Sequence, residues 1–283
     1  MTNELKILAA VSQSVLAEHV ADYAAWAAMR LNAPLELLHV LERHPERAEG
    51  DDRSGAIGVD AQEALLSKLS MQDEHQTKLL REQGRVHLNR LRERALTAGT
   101  SEVDARQRHG NLEDTVAELS ADVRLVVMGR HAERAAVPDA AFERVIRALR
   151  KPVLAVPGQF REPKRIMIAF DGGIASRRGV ELVARSALFH GSRIDLLMSG
   201  KETSRAPGEL EWARQTFEAA GLEVDARLAP GNAGEMIARA IQAASTDLLV
   251  MGAYSHSPLR SLLFGSRTKE LLRAFSIPAL LMR

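Results

Sequence analysis

Cysteine is absent from this chain of 283 residues, and so is an excess of charge of either sign. Without cysteine the chain can form no disulfide, thiolate nucleophile, cysteine-based zinc site or iron–sulfur cluster. Lys and Arg total 38 and Asp and Glu total 37, so the formal net charge is +1. A balance of this kind gives no strongly basic surface, and nucleic acid is therefore not an expected partner.

Long apolar runs are also missing. The longest, such as 153–157 and 248–251, fall far short of the roughly 20 residues that a membrane helix needs. The first ten residues, MTNELKILAA, contain no basic segment and only a very short apolar stretch, so we expect no signal peptide. Together these features predict a protein of the cytoplasm that does not enter a membrane.

The chain repeats itself. Residues 102–111 are EVDARQRHGN and residues 223–232 are EVDARLAPGN, identical at seven of ten positions. Segments before and after them match in type and in order, which predicts one domain duplicated in tandem. We expect domains at 1–158 and 163–283, joined by a Pro- and Gly-containing linker, PGQFREPK, at 157–164.

The first copy is longer, and its additional residues lie near 43–98. Apolar residues at mostly three- or four-residue spacing predict a long amphipathic helix over 60–98 with one solvated face. These apolar residues are Leu65, Leu69, Leu80, Leu88, Leu91 and Ala95. Acidic residues are interleaved with the basic ones, which argues against a nucleic-acid arm.

In the second half, short apolar runs alternate with segments of helical spacing. We expect strands at 165–170, 193–198, 223–228, 247–252 and 277–282, and helices at 175–190, 207–220, 232–244 and 266–275. Such an alternation forms right-handed βαβ units, whose parallel strands are covered by helices on both faces. The predicted fold class is α/β, with two tandem doubly wound domains, each built on a five-stranded parallel sheet.

Polar and small residues follow the predicted strands. Doubly wound sheets bind ligands beyond the carboxyl ends of their strands, where the strand order reverses. In the second half these ends carry Asp171, Ser199, Gly231 and Gly252. Asp171 before two glycines is also a common turn former. Ser266, after Gly265, either caps the following helix or marks an anion site at its N-terminus, and the two interpretations are compatible.

The spacing of four residues carries a family resemblance. Gly252, Ser255, Gly265 and Ser266 occupy the positions of a G-x2-G-x9-G-[ST] pattern that follows the fourth strand. With an acid after the first strand and a Gly-Asn turn after the third, the chain resembles the universal stress protein family in its tandem form. The resemblance implies the Rossmann-like fold of the adenine-nucleotide α-hydrolases and a site for ATP or AMP, with or without Mg²⁺.

The resemblance also assigns roles to individual residues. Asp171 would accept a hydrogen bond from the adenine amino group, and Gly252 would let the backbone approach the ribose and phosphates. Ser266 and Thr268 would bond phosphate oxygens. The implied nucleotide-binding residues are Phe170, Asp171, Ser199, Gly231, Met251, Gly252, Ser255, Gly265, Ser266, Arg267 and Thr268.

Departures from the pattern separate the two halves. Ser255 stands where the second glycine is expected, and it either strains the loop or donates its hydroxyl to a phosphate. In the first half Ser12 replaces the acid, Ala132 the second glycine, and Phe142 and Glu143 the Gly-hydroxyl pair. We therefore expect a degenerate first half that binds no nucleotide.

Catalytic signatures are missing from the sequence. We find no P-loop, no GxGxxG after a strand, no metal-ligand spacing and no nucleophile–base pair, so at most a slow ATPase is expected. Two hypotheses remain. The protein is a nucleotide-binding stress-response protein that signals through protein contacts, or it is an interaction protein in which both sites are degenerate.

Pairing between the halves is a further implication of the resemblance. Family dimers join through their fifth strands, so 152–157 and 278–283 should meet within one chain and mimic a dimer. An exposed strand edge also invites pairing between chains, which leaves a homodimer open.

Overall fold

The computed structural model describes residues 5–42, 59–130, 140–200, 205–253 and 277–283, with the backbone alone for 59–75 and 200. Strands and helices alternate through both halves of the chain. The first half contains β1 (Lys6–Ala10), α1 (Ala17–Leu31), β2 (Leu35–Leu41), α2 (Val59–Thr97), β3 (Val103–His109), α3 (Leu112–Leu119), β4 (Val123–Gly129), α4 (Ala140–Ala148) and β5 (Val153–Val156). The second half contains β6 (Arg165–Phe170), α5 (Ile174–Arg185), β7 (Arg193–Gly200), α6 (Ala206–Ala219), β8 (Val224–Pro230), α7 (Ala233–Ala244), β9 (Leu248–Gly252) and β10 (Ala279–Met282).

The ten strands form one continuous sheet in the order β3-β2-β1-β4-β5-β10-β9-β6-β7-β8. Pairing is parallel within each half, as the βαβ alternation predicts. The halves join through β5 and β10, which pair antiparallel with Leu154 opposite Leu280. The expected meeting of 152–157 and 278–283 is thus confirmed, and both edges of β10 are occupied by strands of the same chain.

Helices cover both faces of the sheet, which is the doubly wound arrangement. On one face, α1, α2, α5 and α6 bury an apolar cluster that runs across both halves. On the other face, α3, α4 and α7 bury a second cluster. Alternate residues of each strand face the two clusters, so the strands are apolar along most of their length. Among the helices described, none combines the length and the apolar character needed to cross a bilayer.

The segment between the halves packs against the first of them. Phe160 lies edge-on to Tyr23 of α1, with ring centroids 4.8 Å apart. The Tyr23 hydroxyl accepts a hydrogen bond from the Arg161 amide at 3.3 Å, and Arg30 pairs with Glu162 at 2.5 Å. The predicted linker therefore packs on α1 of the first half.

The long helix predicted over 60–98 is confirmed as α2, and among its described side chains those of the last turns pack on the sheet. Leu88, Leu91 and Ala95 are buried against α1 and the neighbouring strands. Leu80, which the apolar spacing places on the same stripe, is 45% exposed. Helix α2 runs antiparallel to the strands, so the residues before about Gly84 extend beyond the carboxyl end of β3.

One helix of the second half is shorter than the sequence predicts. The spacing indicates a helix over 175–190, whereas α5 ends at Arg185 and a short 3₁₀ helix, Ala187–Phe189, follows. Ser186 separates the two, and its hydroxyl caps the second by accepting a hydrogen bond from the Leu188 amide at 3.3 Å. The helix predicted at 266–275 lies outside the described residues.

Candidate functional site

The described site residues of the second half lie together at the carboxyl edge of four adjacent strands. Strand register places Ala169 beside Met251 and Phe170 beside Met198, so Asp171 lies between the ends of β9 and β7. The predicted residues at this edge are Phe170, Asp171, Ser199, Gly231, Met251 and Gly252. Strand β6 is the first of its half and lies between β7 and β9, so this is the point where the strand order reverses.

Asp171 is held by the start of α5. Its Oδ1 accepts hydrogen bonds from the Gly173 amide at 2.9 Å and from the Ser176 hydroxyl at 2.5 Å. Gly172 between them has φ +72°, a backbone conformation that suits glycine. The side chain therefore forms the Asp turn that its sequence context predicts.

A cluster beside Asp171 was not predicted from the sequence. Arg177 of α5 donates from Nε to the Gly172 carbonyl at 3.1 Å and forms an ion pair with Glu209 of α6. The Arg177 guanidinium also lies 4.2 Å from the ring centroid of Trp212. Trp212 in turn stacks on Phe170, with centroids 6.1 Å apart and an interplanar angle of 14°.

This Arg177–Glu209–Trp212 cluster lies beside the ends of β6 and β7, next to the Asp171 turn. The Glu209 carboxylate lies against Gly172, where an added Cβ would come within 3.1 Å of it. A charged pair placed over an aromatic ring is rigid, because the cation is held both by the carboxylate and by the ring. One signal was available in the sequence: Glu209 and Trp212 are three residues apart in a predicted helix, and therefore share one face of it.

Two glycines of the predicted site have roles in the fold itself. A Cβ at Gly252 would lie 3.1 Å from the Ala175 Cβ and 3.4 Å from the Ser176 amide nitrogen, so this glycine lets α5 start close to β9. Gly231 has φ +137°, and Asn232 after it caps α7 by accepting hydrogen bonds from the Gly234 and Glu235 amides. The fold itself therefore favours glycine at these two positions, independently of any ligand.

The phosphate side of the predicted site lies outside the described residues. It comprises Ser255, Gly265, Ser266, Arg267 and Thr268. The contacts of these five residues with a nucleotide therefore remain predictions. Within the described residues, no three His, Asp or Glu side chains come together in a way that could hold a metal ion.

The corresponding edge of the first half is built differently. Ser12 stands in the position of Asp171, and its hydroxyl donates to that of Ser14 at 3.0 Å. His39 is buried and donates from Nδ1 to the Val11 carbonyl at 2.9 Å. His87 of α2 lies beside it, with ring centroids 6.3 Å apart, and has a hydrogen bond to the backbone of Ser12. Helix α2 therefore reaches over the end of β1 in this half.

The phosphate-side positions of the first half also differ in kind. Phe142 is buried in the core beneath α4, and Glu143 pairs with Arg147 at 3.4 Å. Arg130, directly after β4, is almost fully buried, and burial lowers its pKa to about 10. Ala132 lies outside the described residues. A buried aromatic ring and an acid now occupy the two positions that carry a Gly-hydroxyl pair in the second half.

Comparisons with known proteins agree with this architecture. The model of the universal stress protein family matches the chain twice, over residues 5–157 and 162–283. A universal stress protein of Synechocystis sp. is 31% identical over 284 residues, which cover 98% of this chain and 99% of that protein.

Two solved structures resemble the whole chain. A universal stress protein from Archaeoglobus fulgidus superposes with a TM-score of 0.72 at 13% identity, covering 99% of this chain and 97% of that one. A protein described as a putative universal stress protein from Pseudomonas aeruginosa gives a TM-score of 0.57 at 17% identity, covering 99% and 93%. At these identities the likeness supports the fold alone.

Proposed function

The chain belongs to the universal stress protein family, with two copies of the family domain in tandem, and from this premise we propose that its second half binds an adenine nucleotide, ATP or AMP. The ligand would lie at the carboxyl edge of β9, β6 and β7. Binding would alter a surface that a protein partner recognises, and no chemical step is required of the chain.

The observation that carries this proposal is the convergence of Asp171, Ser199 and Gly252 at the point of strand reversal. Asp171 is the acid of this edge, and its side chain is already oriented by Gly173 and Ser176. Ser199 is half-buried, and within the described residues its hydroxyl has no hydrogen-bond partner, which suits a ribose hydroxyl. Phe170 and Met251 adjoin them, but their side chains are buried in the apolar clusters on opposite faces of the sheet, so these two predicted residues would support the strand ends and not contact the base themselves.

The phosphates would be bound by the sequence that follows β9. Gly265 and Ser266 supply a small residue and a hydroxyl at a predicted helix N-terminus, where amide groups attract anions. Thr268 and Arg267 add a hydroxyl and a positive charge. Mg²⁺ would coordinate the phosphate oxygens, as this ion usually does in nucleotide sites.

The first half would contribute protein contacts in place of a nucleotide. We propose that the protein is cytoplasmic and consists of domains at 1–158 and 163–283. The first domain would be a copy that binds no nucleotide. Because β10 is already paired on both edges, a homodimer would use a surface other than the fifth strands. The long helix α2 is the element by which the first half differs most from the second.

Calorimetric titration of the purified chain with ATP and Mg²⁺ tests the proposal. Asp171→Asn is the informative variant. The amide oxygen of asparagine can still accept hydrogen bonds from Gly173 and Ser176, whereas an NH2 donor replaces the second carboxylate oxygen. We expect one site per chain in the wild type and affinity at least about tenfold lower in the variant. Asp225→Asn, an exposed carboxylate on β8, is the matched control and should leave the affinity unchanged.

A wild-type chain that binds neither ATP nor AMP at millimolar concentration would contradict the proposal. The protein would then be an interaction protein without a nucleotide. Equal losses in Asp171→Asn and Asp225→Asn would exclude Asp171 as the adenine contact. A second site per chain that survives Asp171→Asn would show that the first half also binds.

A further inference from the structure

Where α2 extends past the sheet, it forms one wall of an open groove. Helix residues of one face make this wall, and the last residues of β3 make the other. The cavity has a volume of about 510 Å³ and is lined by Lys78, Arg81, Glu82, Arg85, Gln107 and His109. We call it the α2–β3 groove. It lies in the first half, at the edge of the sheet farthest from β8.

The charges of the groove do not cancel. Arg85 donates two hydrogen bonds to Glu82, at 3.0 and 2.6 Å, and these bonds lower the pKa of the Glu82 carboxyl. Glu82 is therefore ionised and neutralises Arg85. Within the described residues, Lys78 and Arg81 have no acidic partner. The α2–β3 groove thus carries two positive charges that nothing described there compensates.

The Arg81 guanidinium is oriented by a contact with the end of β3. Its Nε donates a hydrogen bond to Nε2 of His109 at 3.0 Å. This contact leaves the edge formed by Nη1 and Nη2 available to a ligand. Such an edge matches two oxygens of a phosphate, and a lysine one helical turn away adds a mobile point charge. Lys78 has this position relative to Arg81.

The inner end of the groove is rigid. At Gly84 the helix comes so close to β3 that an added Cβ would lie 2.2 Å from Gln107 Nε2. Gln107 closes the groove at this point, and its Nε2 is buried without an acceptor in the described residues. From Leu88 onward α2 is anchored by buried side chains. The Arg81 backbone therefore lies about one helical turn from this close contact. An anchored backbone favours a defined binding site over a mobile, solvated helix face.

We propose that the α2–β3 groove binds a small phosphate-bearing ligand through Arg81 and Lys78. The recognised group is a phosphate or diphosphate, free or attached to an organic molecule. This site is independent of the nucleotide site proposed for the second half. Six strand spacings separate β3 from β9, which amounts to roughly 30 Å.

Titration of the full chain with inorganic pyrophosphate at low ionic strength tests this proposal. Arg81→Gln should weaken binding by about tenfold or more, because a charge-assisted bidentate contact is lost. Lys78→Gln should weaken it less, by about threefold to tenfold. Arg124→Gln is the matched control, since Arg124 is an exposed cation of the same half outside the groove, and it should have no effect. Affinity should fall as salt is added.

Other variants separate this site from the second-half site. Arg267→Gln removes a positive charge from the predicted phosphate side of the second-half site. Pyrophosphate binding that is lost in Arg267→Gln and retained in Arg81→Gln would place the ligand in the second half and overturn the proposal. So would equal losses in Arg81→Gln and Arg124→Gln, or no binding to the wild type at millimolar concentration. An unphosphorylated poly-glutamate peptide that binds more tightly than pyrophosphate, with the same dependence on Arg81, would overturn the phosphate assignment.

Discussion

The hydroxyl of Ser176 donates a 2.5 Å hydrogen bond to Oδ1 of Asp171. Ser176 lies in the first turn of α5 and is 1% exposed, so water does not compete for this bond. The same hydroxyl lies 3.0 Å from the Gly173 carbonyl and 3.4 Å from the Asp171 amide. One buried serine therefore ties the side chain of the candidate adenine contact to the helix that follows it.

Ser176→Ala should weaken ATP binding without abolishing it. Removing the hydroxyl leaves Asp171 with its bond from Gly173 but frees the carboxylate to rotate, so we expect about threefold to tenfold lower affinity. The lost hydrogen bond should also cost about 1 kcal/mol of unfolding free energy. Calorimetry and urea unfolding measure the two effects. Ser192→Ala, which removes a hydroxyl bonded to the Pro163 carbonyl, should leave ATP affinity unchanged. An affinity unaltered in Ser176→Ala would show that its contact does not orient Asp171 for the ligand.

Gly252→Ala should destabilise the fold whether or not a nucleotide is present. The new methyl group would lie 3.1 Å from the Ala175 Cβ and 3.4 Å from a backbone nitrogen, and neither neighbour can move without shifting α5. We expect a loss of about 1–3 kcal/mol in unfolding free energy, measured by urea denaturation without ligand.

Gly208→Ala is the control for this substitution. Gly208 lies in α6 with nothing within 4 Å of an added Cβ, so alanine should leave the chain equally stable or up to about 1 kcal/mol more stable. A stable Gly252→Ala chain with reduced ATP affinity would instead indicate that the ligand needs this space.

The joint between β5 and β10 should depend on its buried leucines. Leu280 is 1% exposed and lies opposite Leu154, so Leu280→Ala should cost about 2–5 kcal/mol of unfolding free energy. Leu79→Ala makes the same chemical change at a site that is 48% exposed and should stay within about 0.5 kcal/mol of the wild type. Urea unfolding of both variants decides this. A loss of unfolding free energy in Leu280→Ala as small as that in Leu79→Ala would mean that the joint contributes little to stability.

Much of the fold could be predicted because the signals are local. A short apolar run placed β6 at 165–170, where it is observed, and the internal repeat extended the same architecture to the first half. The family resemblance predicted the β5–β10 contact. The end of α5 was missed because Ser186 interrupts the helix through a cap, while the apolar spacing continues past it.

The surroundings of the candidate site could be predicted only in part. Asp171 was predicted because it directly follows a predicted strand, and this position can be identified from the order of residues alone. The Arg177–Glu209–Trp212 cluster was missed because it depends on how α5 and α6 pack side by side. The exposure of Leu80 was missed for a similar reason, since spacing shows which face of α2 is apolar but not where the sheet ends.

The contact between α2 and the end of β1 should make the protein sensitive to acid. His87 lies against the backbone of Ser12 and beside the His39 ring, with Arg90 and Glu18 nearby. Burial, assisted by His39 and Arg90, lowers the pKa of His87 below its ordinary value of about 6.5. Below this value the unfolded chain binds a proton that the folded chain resists, so stability present above about pH 6.5 is lost as the pH falls.

His87→Gln should reduce this loss. Glutamine can still donate to the Ser12 carbonyl but does not titrate, so the difference in unfolding free energy between about pH 7.5 and pH 5.5 should be smaller than in the wild type. Urea unfolding at both pH values measures it. His190→Gln, at an exposed position, is the control and should keep the wild-type difference. An unchanged difference in His87→Gln would show that the acid sensitivity does not arise from His87.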